Sequence, residues 1–169
     1  MTISRIRGIV SQSSLTQTAS MNVVGDVSAI LERKSREIWF IPPEAMVFEA
    51  IRLMSSKNIG ALLVMERAKL VGIISERDYT RKVILKGRSS RETEVCEIMS
   101  RPPICVSPEQ SVEECMRVMT ENRVRHLPVL DGGRVVGVVS IGDLVKWIIS
   151  AQSVTIDQLV SYISGSYPG

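Results

Sequence analysis

Two serine–aspartate pairs hold the chemistry that this sequence is equipped to do. Ser75 and Asp78 lie three residues apart, as do Ser140 and Asp143, and each pair falls where an apolar run gives way to a helical pattern. Backbone N–H groups at a helix start lack intrahelical partners, so together with a Ser hydroxyl they favour a phosphate. An Asp carboxylate beside them can accept two hydrogen bonds from the 2′,3′-diol of a ribose. The same spacing also describes a capping box, in which Ser caps the helix and the acidic residue reciprocates, worth about 1–2 kcal/mol. Spacing alone leaves both readings open.

Cations accompany both pairs. Arg77, Arg81 and Lys146 sit on or beside the helices that follow. There they either neutralise a phosphate, Arg by a bidentate fork, or face solvent. Arg77 aligns with Gly142, so the two sites are not equivalent. The first is richer in cations and the second more open, which predicts one tight site and one weak or vacant one. Catalysis is not expected: His126 is the only histidine, and there is no placed nucleophile, no Walker loop and no Gly-x-Gly-x-x-Gly. Cys96, Cys105 and Cys115 form no CxxC, so no metal site is expected and the thiols suit a reducing compartment.

The elements that must position these residues occur twice. Residues 41–84 and 106–149 align without a gap at an offset of 65, with identities that include Pro43/Pro108, Val47/Val112, Met54/Met119, Leu62/Leu127, Val64/Val129 and Gly72/Gly137. Two copies are too few for a solenoid, so a face-to-face pair with clefts at the interface is expected. Each copy opens with a short extended piece, Ile38–Ile41 or Ile104–Val106. A helix follows; in the second copy Ser107 as N-cap, Pro108 at N1 and Gln110 at N3 mark its start. Two strands come next, Leu62–Met65 with Leu70–Ile74 and Leu127–Leu130 with Val135–Val139. The second hairpin turns through Asp131-Gly132-Gly133-Arg134. A second helix closes each unit, Asp78–Leu85 or Asp143–Ala151. The unit is thus β-α-β-β-α, an α/β (α+β) fold. A short helix is expected near Val24–Ile30 and another at Val95–Ser100. Ser89 with Glu92 fits a capping box, and an apolar tail helix, Thr155–Gly165, should dock back on the pair.

This pattern resembles the cystathionine-β-synthase (CBS) domain in tandem, the Bateman module. Arg125-His126-Leu127-Pro128-Val129, the Val95–Ser100 segment and Gly-x-x-Ser-x-x-Asp in both copies (Gly72, Ser75, Asp78; Gly137, Ser140, Asp143) carry the likeness, which covers roughly residues 21–165 and is nearest to stand-alone bacterial and plant CBS-pair proteins. The resemblance implies two pseudo-symmetric CBS repeats packed as one module, binding AMP, ADP or ATP, alternatively S-adenosylmethionine or NAD, with no cofactor required. It implies a homodimer and a regulated partner, of which a thioredoxin-type protein is one possibility. It brings Arg125 and His126 to the cleft edge; Ile41, Val64, Val106 and Val129 are either an adenine slot or, for several of them, plain core. A His126 lining the cleft would favour anionic ligands once protonated near pH ~6.5. The alternatives are an NAD(H)-linked redox regulator and a structural dimerisation module with vacant sites.

Composition sets the remaining bounds. A hydrophobic fraction of 44% with only 4% aromatics calls for a core of Val, Ile, Leu and Met. The net charge of +3 is scattered, with no nucleic-acid stripe, and no apolar run approaches the ~20 residues of a membrane span. Residues 1–25 hold Arg5, Arg7, five Ser, three Thr and no acidic residue. That composition suits a flexible tail or a mitochondrial transit segment, with plastid or cytoplasmic location as alternatives. The expected divisions are 1–25, repeat 1 with its lead-in helix at 26–90, repeat 2 at 91–152, and a helix and tail at 153–169.

Overall fold

A computed structural model of the chain describes residues 25–35 and 37–163. The transit-like segment before Gly25 and the last residues of the tail lie outside them. The first helix, α1 (Val27–Arg33), starts where Asp26 accepts the Ala29 N–H at 3.0 Å. The chain then extends into β1 (Phe40–Ile41), which lies parallel to β2 (Ala61–Glu66) after helix α2 (Val47–Lys57). β2 pairs antiparallel with β3 (Lys69–Ser75), giving the order β1-β2-β3. Helix α3 (Glu76–Lys82) follows, then a 3-10 turn at Ile84–Lys86 ended by Gly87.

The second copy repeats this. After α4 (Val95–Ile98) come α5 (Val112–Asn122), β4 (His126–Asp131), β5 (Arg134–Ser140) and α6 (Ile141–Ile163). A parallel bridge, Val106 to Val129, replaces the short lead strand. Even the irregularities match: each hairpin shifts register once, between Val64 and Met65 and between Val129 and Leu130.

The two hairpin turns reach one geometry with different residues. A tight turn matching strand twist needs positive φ at both central positions. Gly132 and Gly133 adopt 54° and 80° freely, whereas Arg67 and Ala68 take 46° and 65° despite their side chains.

Each repeat buries its own core. Val47, Ala50, Met54, Leu62, Val64 and Ile74 fill the first; Val112, Cys115, Met119, Leu127, Val129 and Val139 fill the second. The short helices are exchanged between them. α4 adds Val95 and Ile98 to the first core, while α1, which leads into repeat 1 along the chain, adds Val27 and Ile30 to the second. The same backbone bonds seat both. Val95 and Cys96 N–H donate to the Ala45 and Pro43 carbonyls, and Val27 and Ser28 N–H donate to those of Gln110 and Pro108. A glycine admits each helix closely. A Cβ on Gly72 would lie 2.7 Å from Met99 Sδ, and one on Gly137 would lie 2.6 Å from Leu31 Cδ2.

Three expectations are corrected. The second copy's first helix starts at Val112, not after Ser107: Ser111 is its N-cap, accepting the Glu114 N–H at 3.1 Å, while Ser107 and Gln110 form only a turn. Ser89 and Glu92 likewise form a turn, with Glu92 N–H donating to the Ser89 carbonyl. The tail does not fold back. No Gly or Pro interrupts residues 143–163, so α6 runs on as one helix. Its far part leaves Val154, Ile156 and Val160 exposed. Among the described residues no helix is long and apolar enough to cross a membrane.

Candidate functional site

Both serine–aspartate pairs cap a helix. In the first, the Ser75 hydroxyl accepts the Asp78 N–H at 3.3 Å, while Asp78 Oδ2 accepts the Ser75 N–H at 3.0 Å and its hydroxyl at 2.8 Å. In the second, the Ser140 hydroxyl accepts the Asp143 N–H at 3.2 Å and Asp143 Oδ2 accepts the Ser140 N–H at 2.8 Å. Capping therefore consumes one oxygen of each carboxylate, and the other oxygen separates the two sites. Asp78 Oδ1 is occupied by Lys82 Nζ at 2.7 Å, with the Ser100 hydroxyl at 3.5 Å. Lys82 is held in turn by the Ile98 carbonyl at 2.6 Å. Asp143 instead takes Lys34 Nζ at 2.7 Å on the oxygen already used for the cap, and its Oδ1 accepts no hydrogen bond among the described residues.

Asp143 and Ser140 line a cleft of about 870 Å³ between the repeats. That is ample for a nucleotide-sized ligand, since such pockets run to roughly 300–1,000 Å³. One wall is Asn58-Ile59-Gly60-Ala61 from the start of β2; the other is His126 with Val136, Gly137 and Val138 of β5. Ile38 and Trp39 close one end, and Lys57 stands over the Trp39 ring at 4.0 Å. Four carboxylates (Glu32, Glu37, Asp131 and Asp143) face two lysines, Lys34 and Lys57.

The ionisable groups respond to this setting. Burial works to raise the pKa of Asp143, but hydrogen bonds and charge from Lys34 and Ser140 outweigh it and hold the carboxyl below its ordinary value. His126 moves the other way from the expectation of easy protonation. Burial, helped by the nearby Lys34 and Arg125 charges against the pull of Asp143, lowers its pKa, so at pH 7 it is a neutral ring. It packs against Gly60, where an added Cβ would sit 3.2 Å from its Cε1.

Ser140, Asp143 and His126 thus meet in the cleft, and the other expected residues do not. Lys146 and Arg125 are exposed and line none of it. Ser75, Asp78, Arg77 and Arg81 line none of it either, and Arg77 Nη1 donates to the Arg123 carbonyl at 3.1 Å and ties repeat 1 to repeat 2. Ile41, Val64, Val106 and Val129 form no slot. They pair in parallel register as Ile41–Val64 and Val106–Val129 inside the two cores. The apolar lining comes from Leu31, Ile38, Trp39 and Ile59 instead. Lys34, Trp39 and Lys57 were not singled out by sequence; Lys34 is 109 residues from the aspartate it meets, and no local pattern links them.

A gap-free duplication, a strand-to-helix Gly-x-x-Ser-x-x-Asp in each copy and a cleft at the junction coincide with one family match: the CBS domain, over residues 24–84 and 95–150. The chain belongs to the CBS-domain family. It is a CBS pair, a regulatory rather than a catalytic type of module, and its relatives include stand-alone proteins of that kind. The mitochondrial CBS domain-containing protein CBSX3 of Arabidopsis thaliana is 37% identical over 93% of this chain and 82% of its own length. A signal-transduction CBS-domain structure from Burkholderia ambifaria is 50% identical with a TM-score of 0.74, over 76% of this chain and 96% of that one. The CBS pair of protein MJ0100, solved with 5′-methylthioadenosine and S-adenosyl-L-methionine, is 25% identical with a TM-score of 0.67, over 76% of this chain and 98% of that one.

Proposed function

We propose that this CBS pair is a sensor that binds an adenosine-containing nucleotide (AMP, ADP or ATP) in the Asp143 cleft and passes its occupancy to a regulated partner. The observation that carries the reading is the Asp143 carboxylate, whose Oδ2 is fixed by the helix cap while Oδ1 remains open on the wall of an 870 Å³ cleft. A diol needs such a rigid, partly free acceptor. The adenosine ligands of the MJ0100 pair support the ligand class. Ligand here touches both repeats, so binding shifts their relative placement in proportion to its differential affinity for the two arrangements. A homodimer is part of this reading, supported by the exposed Ile149, Ile156 and Val160 on α6, and a mitochondrial location by the likeness to CBSX3.

Calorimetric titration with AMP, ATP, NAD, NADH and S-adenosylmethionine tests it, on the parent chain and on Asp78→Asn and Asp143→Asn. Binding of an adenosine ligand that is lost in Asp143→Asn and kept in Asp78→Asn is the expected result. Preference for NAD or NADH would turn the reading towards redox state. No heat from a folded, nucleotide-free protein would leave a structural dimerisation module.

A further inference from the structure

The contact nearest to the open carboxylate is the Lys34 ammonium. It sits just beyond α1, bonded to Asp143 Oδ2 at 2.7 Å and to the Val138 carbonyl at 3.1 Å. A diol bound in two-point fashion donates to both carboxylate oxygens, and on Oδ2 the acceptor site that the cap leaves over is already held by Lys34. Lys34 and the ligand therefore compete for Asp143. The flexible four-carbon stem lets the ammonium leave, but it then needs another anionic partner within the cleft.

Resting on the adenosine reading of this cleft, we propose that Lys34 sets its ligand class: it exchanges the Asp143 carboxylate for the ligand's own phosphate. The cleft then takes a nucleoside monophosphate in preference to both the phosphate-free nucleoside and the triphosphate. A nucleoside without phosphate takes Asp143 from Lys34 and offers the ammonium no anionic group in exchange. A monophosphate supplies the partner that the diol removes. A triphosphate brings more negative charge than the remaining cation, Lys57, can meet, and Glu32, Glu37 and Asp131 line the same cleft. His126, neutral at pH 7, adds no positive charge. Asp78 has no such exchange available, because its lysine comes from the same helix and is also fastened to the Ile98 carbonyl.

The test compares AMP, adenosine and ATP by calorimetry on the full chain, on Lys34→Met and on Lys34→Arg, each checked for folding by thermal melt. The parent chain should bind AMP most tightly. Lys34→Met should lower the AMP-to-adenosine affinity ratio about tenfold, the scale of one charge-assisted hydrogen bond. Lys34→Arg should restore most of the ratio. An unchanged ratio in folded Lys34→Met, loss of both ligands together, or ATP binding as tightly as AMP to the parent overturns the proposal while leaving the adenosine reading intact. Failure of all three ligands on the parent chain overturns both.

Discussion

The two halves of this molecule share a backbone and differ in how their signature aspartates are satisfied. In repeat 1, Asp78 spends both oxygens on its own surroundings: the cap, Lys82 and Ser100. In repeat 2, Asp143 keeps one oxygen open onto a cleft, and its lysine is borrowed from the segment that leads from α1 into repeat 1. The paired residues explain the contrast. Lys82 aligns with Trp147, so the lysine that neutralises Asp78 from one turn along its helix has no counterpart in repeat 2, where Trp147 packs against the core instead. Duplication has preserved the cap and allowed the carboxylate's second task to diverge.

Substitutions at paired positions sharpen or break that contrast. Leu144 is fully buried at the start of α6, where repeat 1 carries the half-buried Tyr79. Leu144→Ala should cost about 3–5 kcal/mol in urea unfolding, more than Tyr79→Ala; equal costs would mean the cores are equally tolerant. Next in size is the pair of close-approach glycines. A Cβ at Gly72 meets the Ser100 carbonyl at 3.0 Å as well as Met99, whereas at Gly137 the nearest atoms all belong to the movable Leu31 side chain. Gly72→Ala should therefore destabilise by about 1–3 kcal/mol, with Gly137→Ala costing less in the same assay. The caps follow. Ser75 both accepts from the Asp78 N–H and donates to its carboxylate at 2.8 Å, while the Ser140 hydroxyl accepts from the Asp143 N–H and meets its carboxylate more loosely. Ser75→Ala should lose about 1 kcal/mol, and Ser140→Ala less, by thermal melts.

The smallest effect is on pH dependence. His126 has a lowered pKa in the fold, so the unfolded chain binds its proton first, near the ordinary value of about 6.5. Its neutral ring favours the folded state fully above that pH, and the advantage declines as pH falls through 6.5 towards the folded pKa. The melting temperature should drop between pH 7.5 and pH 5.5. Giving repeat 2 the residue of repeat 1, His126→Ala (the counterpart of Ala61), should flatten that drop. A profile unchanged by the substitution would assign the titration elsewhere.

Local periodicity reads much of this fold correctly, because strands, hairpin turns and the apolar faces of α2 and α5 are set by neighbours in sequence. At the start of α5 two start signals overlap, Ser107 with Gln110 and Ser111 with Glu114, and local pattern favours the earlier one. The later one prevails because the Gly25 carbonyl accepts the Val112 N–H and Asp26 bridges Ser111, keeping the chain extended up to the cap. That choice is made by residues more than eighty positions away. The site followed the same rule. Ser140 and Asp143 were legible as a local motif, as was the cap they form. Lys34 was not, because its role exists only once α1 has crossed to the second core. The apolar residues offered for an adenine slot take their other reading, core, and sequence left the choice open for a related reason: inward and cleft-facing valines look alike until the strand register is known.

The exchange of short helices also bears on how the chain is made. α1 leaves the ribosome before every other described element, yet the carbonyls that seat it belong to Pro108 and Gln110. At roughly 5–20 residues per second, it waits several seconds for a docking place that has not been synthesised. Repeat 1 is likewise short of Val95 and Ile98 until the chain has passed its own end. Neither half can be finished in the order in which it is written, so the last steps of assembly come together, after most of both repeats have emerged.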